Sequence, residues 1–244
     1  ISSQPLEQLV ERCRDLSPTR GFVRALWEGA RPALIAEVKK ASPSAGVIRG
    51  EFDPVAIAQA YERAGANCLS VLTDQEFFQG SDEYLCQVRA AVRLPILRKD
   101  FTLHPHQVLT ARVLGADAIL LIVRMLPPEL YRELAGTAKE QSLDVLVEVH
   151  NEEETRFAVQ EGADLIGVNN RDLDTFTTDL ATTERLLPLI PAATTRVSES
   201  ALYTRDEVIR VREAGANAVL IGTAFCGSPD IEAKVREVMP WPCG

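Results

Sequence analysis

An acid and an amine stand two positions apart in a strand-like segment near the start of the chain. Residues 34–44 open as a short apolar run, yet this run carries Glu37 and Lys39. Successive side chains of a strand alternate between faces, so these two are expected to point the same way. Burying charged groups is costly unless they are paired or used. A turn signal at 42–44 follows, which places the pair near the carboxyl end of the strand, where α/β enzymes keep their chemistry.

Later apolar runs also end in ionisable or amide side chains, namely Lys99, Glu148, Asn169, Arg171 and Glu199. A lysine among acids can act as a general acid or, with a lowered pKa, as a Schiff-base nucleophile. Glu148 can serve as the opposing base, and Arg171 can hold a carboxylate through two hydrogen bonds. A structural ion pair between Lys99 and Glu148 is the alternative explanation for those two residues. So many ionisable groups in one place favour catalysis.

Two strand-like runs near the end of the chain are followed by residues suited to an anion. Ser200 follows the run at 195–198, which is the seventh along the chain. Gly222 and Thr223 follow the eighth run, at 218–221. In closed α/β barrels the loops after strands seven and eight commonly bind phosphate, helped by the N-terminus of a short helix. An ordinary glycine turn is the alternative. Position in the expected fold favours phosphate.

A repeat along the chain indicates which elements position these side chains. Gly-Ala followed by Asn or Asp recurs about every 50 residues, each time after a helical pattern and before an apolar run. Together with intervening runs this gives eight strand candidates, at 33–38, 68–72, 94–97, 118–123, 143–149, 165–168, 195–198 and 218–221. Eight even βα units predict an α/β protein of the (β/α)8 TIM-barrel class. An open doubly wound sheet is the alternative, although eight such units exceed most open sheets.

The chain of 244 residues fits one barrel with an added N-terminal piece. Residues 5–13 and 19–27 each show a helical apolar face. We therefore expect residues 1–30 to form a helical extension that caps the barrel, and 31–244 to form a single catalytic domain. A lid that contributes to the active site is the alternative for the extension. The apolar fourth run, which includes Leu120, is expected to form a wall of the site.

Composition and charge argue against several classes of function. The net charge of −9 and the lack of a basic stripe exclude a nucleic-acid partner, and no apolar run nears the ~20 residues that cross a membrane. No signal peptide is visible, and Ile1 indicates a missing or altered natural N-terminus. No dinucleotide fingerprint follows a strand, so no nicotinamide cofactor is expected. We expect a monomer.

The cysteines and histidines do not form a pattern typical of metal sites. The five cysteines, Cys13, Cys68, Cys86, Cys226 and Cys243, include no close pair, which suits free thiols in a reducing cytoplasm. Of the three histidines, His104 and His106 open a helical segment and are expected to be surface or capping residues, and His150 follows the fifth run beside Glu148. We therefore expect no metal.

The motifs together resemble the indole-3-glycerol phosphate synthase family of tryptophan biosynthesis. The resemblance runs from about residue 20 to the last helical segment and rests on seven motifs in order, at 35–44, 70–74 with 77–81, 98–101, 146–150, 167–173, 197–200 and 220–222. It implies ring closure of 1-(o-carboxyphenylamino)-1-deoxyribulose 5-phosphate to indole-3-glycerol phosphate, with loss of carbon dioxide and water. It also implies that no cofactor is needed.

The resemblance assigns roles residue by residue. It makes Lys99 the general acid of ring closure and Glu148 the acid/base group of dehydration, with Lys39, Glu37 and Asn169 contacting and orienting the substrate. Arg171 supports the carboxylate side, and Glu199 and Ser200 complete the sugar end. The phosphate would lie near Ser42, Gly222 and Thr223, and the aromatic ring would lie in an apolar slot of Pro43, Phe78, Phe101, Leu120, Leu173 and Ile221.

Some positions depart from the family pattern. Ala45 stands where the family often has Lys, His104 replaces a usual Asp, Ala201 replaces the usual Gly, and residues 225–227 are unusual. None removes a proposed catalytic group, but Ala201 touches the expected phosphate site. If that loop needs a positive φ, alanine strains it by ~1 kcal/mol or more.

Three rival interpretations remain. A phosphoribosylanthranilate isomerase would share the barrel but would not call for this set of lysines and glutamates. A Schiff-base aldolase would use Lys99 or Lys39 as its nucleophile. A non-enzymatic relative would only bind phosphorylated ligands, which the intact Lys99 and Glu148 argue against.

Overall fold

Eight parallel strands close into a barrel in the structure, a computed structural model that describes residues 5–241. Residues 1–4 of the predicted extension, and Cys243 with its two neighbours at the end of the predicted barrel domain, lie outside the described residues. The barrel strands are β1 (Ala33–Val38), β2 (Cys68–Leu72), β3 (Ile96–Lys99), β4 (Ala118–Ile122), β5 (Asp144–Val149), β6 (Leu165–Asn169), β7 (Thr195–Glu199) and β8 (Ala218–Ile221).

Closure follows directly from the pairing of the first strand on both of its edges. In β1, Ala36 is in register with Leu69 of β2 and with Ile221 of β8. Each later strand pairs in parallel with the next one along the chain. The (β/α)8 prediction is therefore confirmed, and the open doubly wound sheet is excluded.

Helices connect the strands and surround them. They are α1 (Leu6–Arg14), α2 (Phe22–Glu28), α3 (Pro54–Arg63), α4 (Asp82–Ala91), α5 (Pro105–Leu114), α6 (Pro128–Glu140), α7 (Glu152–Gln160), α8 (Ala181–Leu186), α9 (Arg205–Glu213), α10 (Thr223–Cys226) and α11 (Ile231–Val238). Short 3₁₀ turns lie at Val123–Met125 and Leu187–Leu189. The glycines of the sequence repeat adopt positive φ, between 74° and 107°, as expected for residues that end a helix.

Element boundaries differ from the predicted ones where polar residues continue a strand. The third strand starts at Ile96 and reaches Lys99, because Arg98 and Lys99 still pair with β2. Likewise β6 and β7 extend by one residue, and their last residues, Asn169 and Glu199, are in register with each other. A polarity-based boundary stops too early at these strand ends, because the side chains of Lys99, Asn169 and Glu199 enter the mouth of the barrel instead of the core.

The amino ends of the strands are covered by α2. Phe22 and Leu26 are buried and pack with inward-facing side chains of the strands, among them Ile35, Leu97 and Leu146. The main-chain N–H of Val23 donates to Asp144 Oδ2 at 2.9 Å. This packing leaves the opposite, carboxyl end of the barrel open for a site. No helix within residues 5–241 is long and apolar enough to cross a membrane.

Candidate active site

A single cavity at the carboxyl ends of the strands is lined by every residue that the sequence predicted for the site. The strands deliver Glu37, Lys99, Glu148, Asn169 and Glu199 to this cavity because each of them is the last inward-facing residue of its strand. Leu120 and Ile122 of β4 form an apolar wall, as expected of the apolar fourth run.

Lys99 lies at the centre of the cavity between two carboxylates from other strands. Its Nζ donates to Glu148 Oε2 at 3.0 Å and to Glu199 Oε2 at 2.8 Å. The amide of Asn169 donates to the other oxygen of Glu148 at 3.0 Å. A side chain at Gly167 would collide with Glu199 Oε1, so this glycine makes room for the second carboxylate. The structural ion pair considered for Lys99 and Glu148 is thus present, as one half of a three-strand cluster.

The mutual charges of this cluster set its protonation. Burial alone would lower the pKa of Lys99, but Glu148 and Glu199 outweigh burial and raise it. Burial would raise the pKa of Glu148, yet the Lys99 ammonium and neighbouring hydrogen bonds hold it well below its usual range. Burial raises the pKa of Glu199 to about 7, against the pull of Lys99. The cavity therefore holds an ammonium donor, an ionised acceptor and a carboxyl that protonates near neutrality.

The direction in which the pKa of Lys99 is shifted bears on the alternative of a Schiff-base aldolase. A Schiff-base lysine must lose its proton to act as a nucleophile, which a lowered pKa favours. The pKa of Lys99 is raised instead, because two carboxylates surround its ammonium. The two ion pairs therefore argue against covalent attack by Lys99.

Glu37 and Lys39 form a second ion pair at the end of β1, on one face as predicted. Lys39 Nζ lies 2.5 Å from Glu37 Oε2, and both side chains are largely buried. The main-chain oxygen of Glu37 accepts hydrogen bonds from Tyr61 Oη at 3.0 Å and Cys226 Sγ at 3.1 Å. A side chain at Gly222 would collide with the Glu37 carboxylate. The unusual residue Cys226 therefore packs behind the site and helps to fix β1.

An aromatic slot lies beside the charged cluster. Phe78 and Phe101 pack with ring centroids 6.4 Å apart, and Phe77 meets Phe101 edge-on at 6.0 Å. The loop that carries Phe78 is held by Asp74, whose carboxylate accepts the N–H groups of Phe77 at 2.7 Å and Phe78 at 3.2 Å. Gly80 lets the same loop approach the main chain of Leu72.

The loops after β7 and β8 lie on the side of the cavity where phosphate is expected. Ser200 and Ala201 both adopt positive φ, 66° and 58°. Gly222 precedes the short helix α10, which begins at Thr223. The first N–H groups of a helix have no partner within it and are suited to an anion. Since φ at residue 201 is positive, an alanine there is strained, which resolves the question left open by the sequence.

Several residues that line the cavity were not predicted as site residues. They are Ser44, Leu72, Asp74, Asp100, Ile122, Phe176, Leu202, Tyr203, Leu220 and Ala224. Asp74 and Asp100 follow strand ends and could have been found from that position alone. Phe176 and Tyr203 lie in loops, where no sequence period indicates which side chain turns inward. Arg171, a predicted residue, donates to the main-chain oxygen of Phe176 at 3.3 Å.

The histidines are placed only partly as expected. His104 caps α5 by accepting the main-chain N–H of His106 at 3.1 Å, as a capping residue should. His106 is buried, so the expectation of a surface position is wrong for that residue. Across residues 5–241 no group of three or more His, Cys, Asp or Glu side chains is arranged to hold a metal ion.

A (β/α)8 barrel that holds an ammonium between two carboxylates, next to an aromatic slot, favours an enzyme of acid–base chemistry. Comparison with known proteins specifies it further. The family model described as indole-3-glycerol phosphate synthase matches residues 2–238, and the chain belongs to this family.

Two relatives agree with that assignment. The indole-3-glycerol phosphate synthase of Chlorobium luteolum is 51% identical over 242 residues, 99% of this chain and 90% of the relative. The protein of the same name from Rhodospirillum rubrum is 49% identical over 239 residues, 96% of this chain and 91% of the relative. The family match therefore extends over nearly the full length of each relative.

Solved structures of other proteins share only the fold. A thiamine phosphate pyrophosphorylase from Pyrococcus furiosus superposes with a TM-score of 0.63 at 18% identity, covering 84% of this chain and 93% of its own. A chain of the tryptophan synthase complex from the same organism superposes with a TM-score of 0.63 at 13% identity, covering 86% and 98%. At such identities the likeness supports the barrel and nothing about the reaction.

Proposed function

We propose that this protein is a carboxy-lyase of tryptophan biosynthesis that converts 1-(o-carboxyphenylamino)-1-deoxyribulose 5-phosphate to indole-3-glycerol phosphate, carbon dioxide and water. The observation that carries the proposal is the Lys99 ammonium held between Glu148 and Glu199 beside an aromatic slot. The reaction needs a proton donor, a proton acceptor and an apolar place for an aromatic ring, and the cavity offers all three.

Ring closure is assigned to Lys99. The ring carbon that bears the carboxylate attacks the ribulose carbonyl, and Lys99 donates a proton to the carbonyl oxygen as the carbon–carbon bond forms. The raised pKa of Lys99 keeps its ammonium charged in the free enzyme, so the side chain carries the proton that the carbonyl oxygen takes up. Loss of the carboxylate as carbon dioxide then restores the aromatic ring, and an apolar slot favours that loss of charge.

Dehydration is assigned to Glu148. Its ionised carboxylate accepts the proton that leaves the substrate as the hydroxyl departs as water. Lys39 supplies the proton for that hydroxyl, or Lys99 does so after solvent has returned the proton that it gave in ring closure. Asn169 supports the assignment because its amide orients Glu148 at 3.0 Å. Glu37 and Asn169 are proposed to orient the amine and the sugar hydroxyls, and Lys39 is proposed to contact the substrate carboxylate or phosphate.

The substrate is proposed to lie across the cavity. Its aromatic ring would occupy the slot of Pro43, Phe78, Phe101, Leu120, Leu173 and Ile221, with Arg171 on the carboxylate side. Glu199 and Ser200 would meet the sugar, and the phosphate would lie near Ser42, Gly222 and Thr223. These groups surround one cavity, which supports a single extended substrate.

A direct assay tests the proposed function. Indole fluorescence is followed after the purified protein is mixed with the carboxyphenylamino-deoxyribulose phosphate, and carbon dioxide release is measured in parallel. We expect both signals in equal amounts. Consumption of phosphoribosylanthranilate instead would support the isomerase, and covalent trapping of a ketone substrate by borohydride would support the aldolase.

We propose a monomer that acts without a cofactor or a nucleic-acid partner, and whose residues 1–30 serve as a cap. The packing of Phe22 and Leu26 beneath the strands supports the capping role. We further propose a cytoplasmic location, in which the free thiols of Cys13, Cys68 and Cys86 would stay reduced.

Ala201→Gly is expected to lower KM more than it raises kcat. Ala201 adopts a φ of 58°, and glycine relieves that strain while removing a methyl group from the proposed phosphate loop. The same change should raise Tm by about 2–4 °C if it recovers ~1 kcal/mol. Steady-state kinetics and thermal unfolding measure the two effects.

Ala214→Gly is the matched control for that variant. Ala214 ends α9 with a φ of −69°, so glycine relieves nothing there and should lower Tm. A large rise in kcat at constant KM in Ala201→Gly would mean that residue 201 acts on the transition state, against the phosphate-loop argument.

Inorganic phosphate or sulfate is expected to bind at the loops after β7 and β8. The N–H groups at the start of α10, beside Gly222 and Thr223, are the proposed donors. Phosphate should inhibit competitively with substrate, whereas chloride at matched ionic strength should not. A crystal structure in sulfate with the anion elsewhere and this place empty would contradict the assignment.

A further inference from the structure

His150 is a largely buried titratable group beside the catalytic cluster, and the proposed steps leave it unused. It follows β5 directly, and 9% of its side chain is exposed. Its Nδ1 lies 3.1 Å from Glu154 Oε2, an oxygen that also accepts the main-chain N–H of His150 at 2.8 Å. Asn151 holds the other oxygen of Glu154 at 2.7 Å. One edge of the imidazole is therefore fixed by the first turn of α7.

The other ring nitrogen faces the catalytic carboxylate. Nε2 lies 3.3 Å from Glu148 Oε1 and, within the described part of the chain, makes no hydrogen bond. The same oxygen accepts the Asn169 amide, while the second oxygen of Glu148 accepts Lys99. Contacts of catalytic groups are often long in a free enzyme and tighten when substrate binds. The imidazole is thus aimed at the one carboxylate that the proposed dehydration uses.

We propose that His150 is a positioning residue, an imidazolium that keeps the Glu148 carboxylate ionised and aimed into the cavity. This inference rests on the proposed function, because Glu148 is the acid/base group there. His150 itself touches no reacting atom and acts through Glu148 alone.

The charges around the imidazole support a protonated ring. The groups that face it are Glu148 from its own strand and Glu154 from α7, and Lys99 reaches it only through Glu148. Arg124, in the neighbouring 3₁₀ turn, pairs with an aspartate of another loop. Burial would lower the pKa of His150, but the two carboxylates raise it to about 9. The ring is therefore charged at neutral pH and loses its charge as pH rises through about 9.

Kinetics of His150 variants test the proposal. We expect His150→Ala to lower kcat about tenfold with KM nearly unchanged, because Glu148 loses the contact that aims it into the cavity. His150→Gln, which returns a neutral donor, should recover part of kcat. Wild-type kcat should fall as pH rises through about 9, and both variants should lack this step. A loop with a merely structural role would not give that pH step or the recovery by glutamine.

His104→Asn is the matched control. It removes another imidazole from the chain while asparagine keeps the helix cap, so its pH profile should follow wild type. NMR titration of the imidazoles adds a measurement that needs no turnover. His150 should titrate well above the usual histidine range in the free enzyme, and Glu154→Gln should lower that pKa.

The outcomes separate this inference from the proposed function. If wild type forms the indole product and the His150 variants match its kcat and pH profile, the inference is overturned and the proposed function stands. An ordinary titration of His150 also overturns the inference, whatever the turnover. Absence of turnover in wild type would overturn the proposed function, and this inference with it.

Discussion

Lys99→Met is expected to lower kcat by ~10²–10⁴-fold, because it removes the proton donor of ring closure. Lys99 is charged and buried between Glu148 at 3.0 Å and Glu199 at 2.8 Å, where no other ammonium contacts both carboxylates in the described residues. Methionine keeps most of the side-chain volume, so the loss should reflect chemistry more than packing. KM should change much less than kcat, and steady-state fluorescence assays measure both.

The same substitution also changes the charge of the cluster. Without the ammonium, Glu148 and Glu199 face each other in a buried place, and we expect them to share a proton. Thermal unfolding must therefore accompany the kinetics, to establish that the variant is folded. Lys139→Met, at an exposed position of α6, is the matched control and should keep wild-type kcat. Activity of the Lys99 variant within tenfold of wild type would refute the general-acid assignment.

The location of the site could be predicted from the sequence because the barrel makes position along a strand equivalent to position in space. A polar residue at the carboxyl end of any of the eight strands must face the same mouth. Lys99, Glu148 and Asn169 lie far apart in sequence yet meet within hydrogen-bond distance for this reason. The hydrophobic pattern of the sequence and the barrel topology were therefore sufficient to predict that these three residues meet.

Contacts across the barrel could not be predicted in the same way. That Lys99 bonds Glu199 as well as Glu148 depends on distances between strands that no spacing encodes. Gly167 carries no polar signal, although only its missing side chain leaves room for Glu199. The contact between His150 and Glu154 depends on the conformation of the first turn of α7. Such features follow from side-chain geometry, which the sequence pattern leaves open.

Loop conformation was the other feature that could not be predicted from the sequence. The sequence placed Ala201 in the expected phosphate loop but left the sign of its φ undecided, and the structure has it at 58°. Phe176 lines the cavity from a loop, again with a positive φ of 58°. Backbone angles of this kind are set by the loop as a whole, so residue type alone does not predict them for alanine or phenylalanine.

Glu148→Gln is expected to abolish formation of indole-3-glycerol phosphate, with a loss of ~10²–10⁴-fold in kcat, because an amide cannot accept the proton of dehydration. Lys99 keeps Glu199 as a partner at 2.8 Å, so ring closure retains its donor. A ring-closed species that has lost carbon dioxide but not water should therefore accumulate. Rapid quenching and mass spectrometry detect that species, while indole fluorescence stays low.

Glu153→Gln provides the control for this variant, since it removes an exposed carboxylate from the first turn of α7 near Glu148 in sequence. It should keep wild-type kcat and accumulate nothing. Release of carbon dioxide at the wild-type rate without formation of the indole product would mean that Glu148 acts in dehydration alone. Loss of both signals would assign Glu148 to ring closure as well, through its hold on Lys99. Full activity in Glu148→Gln would remove the residue from the mechanism and leave Glu199 or Glu37 to accept the proton.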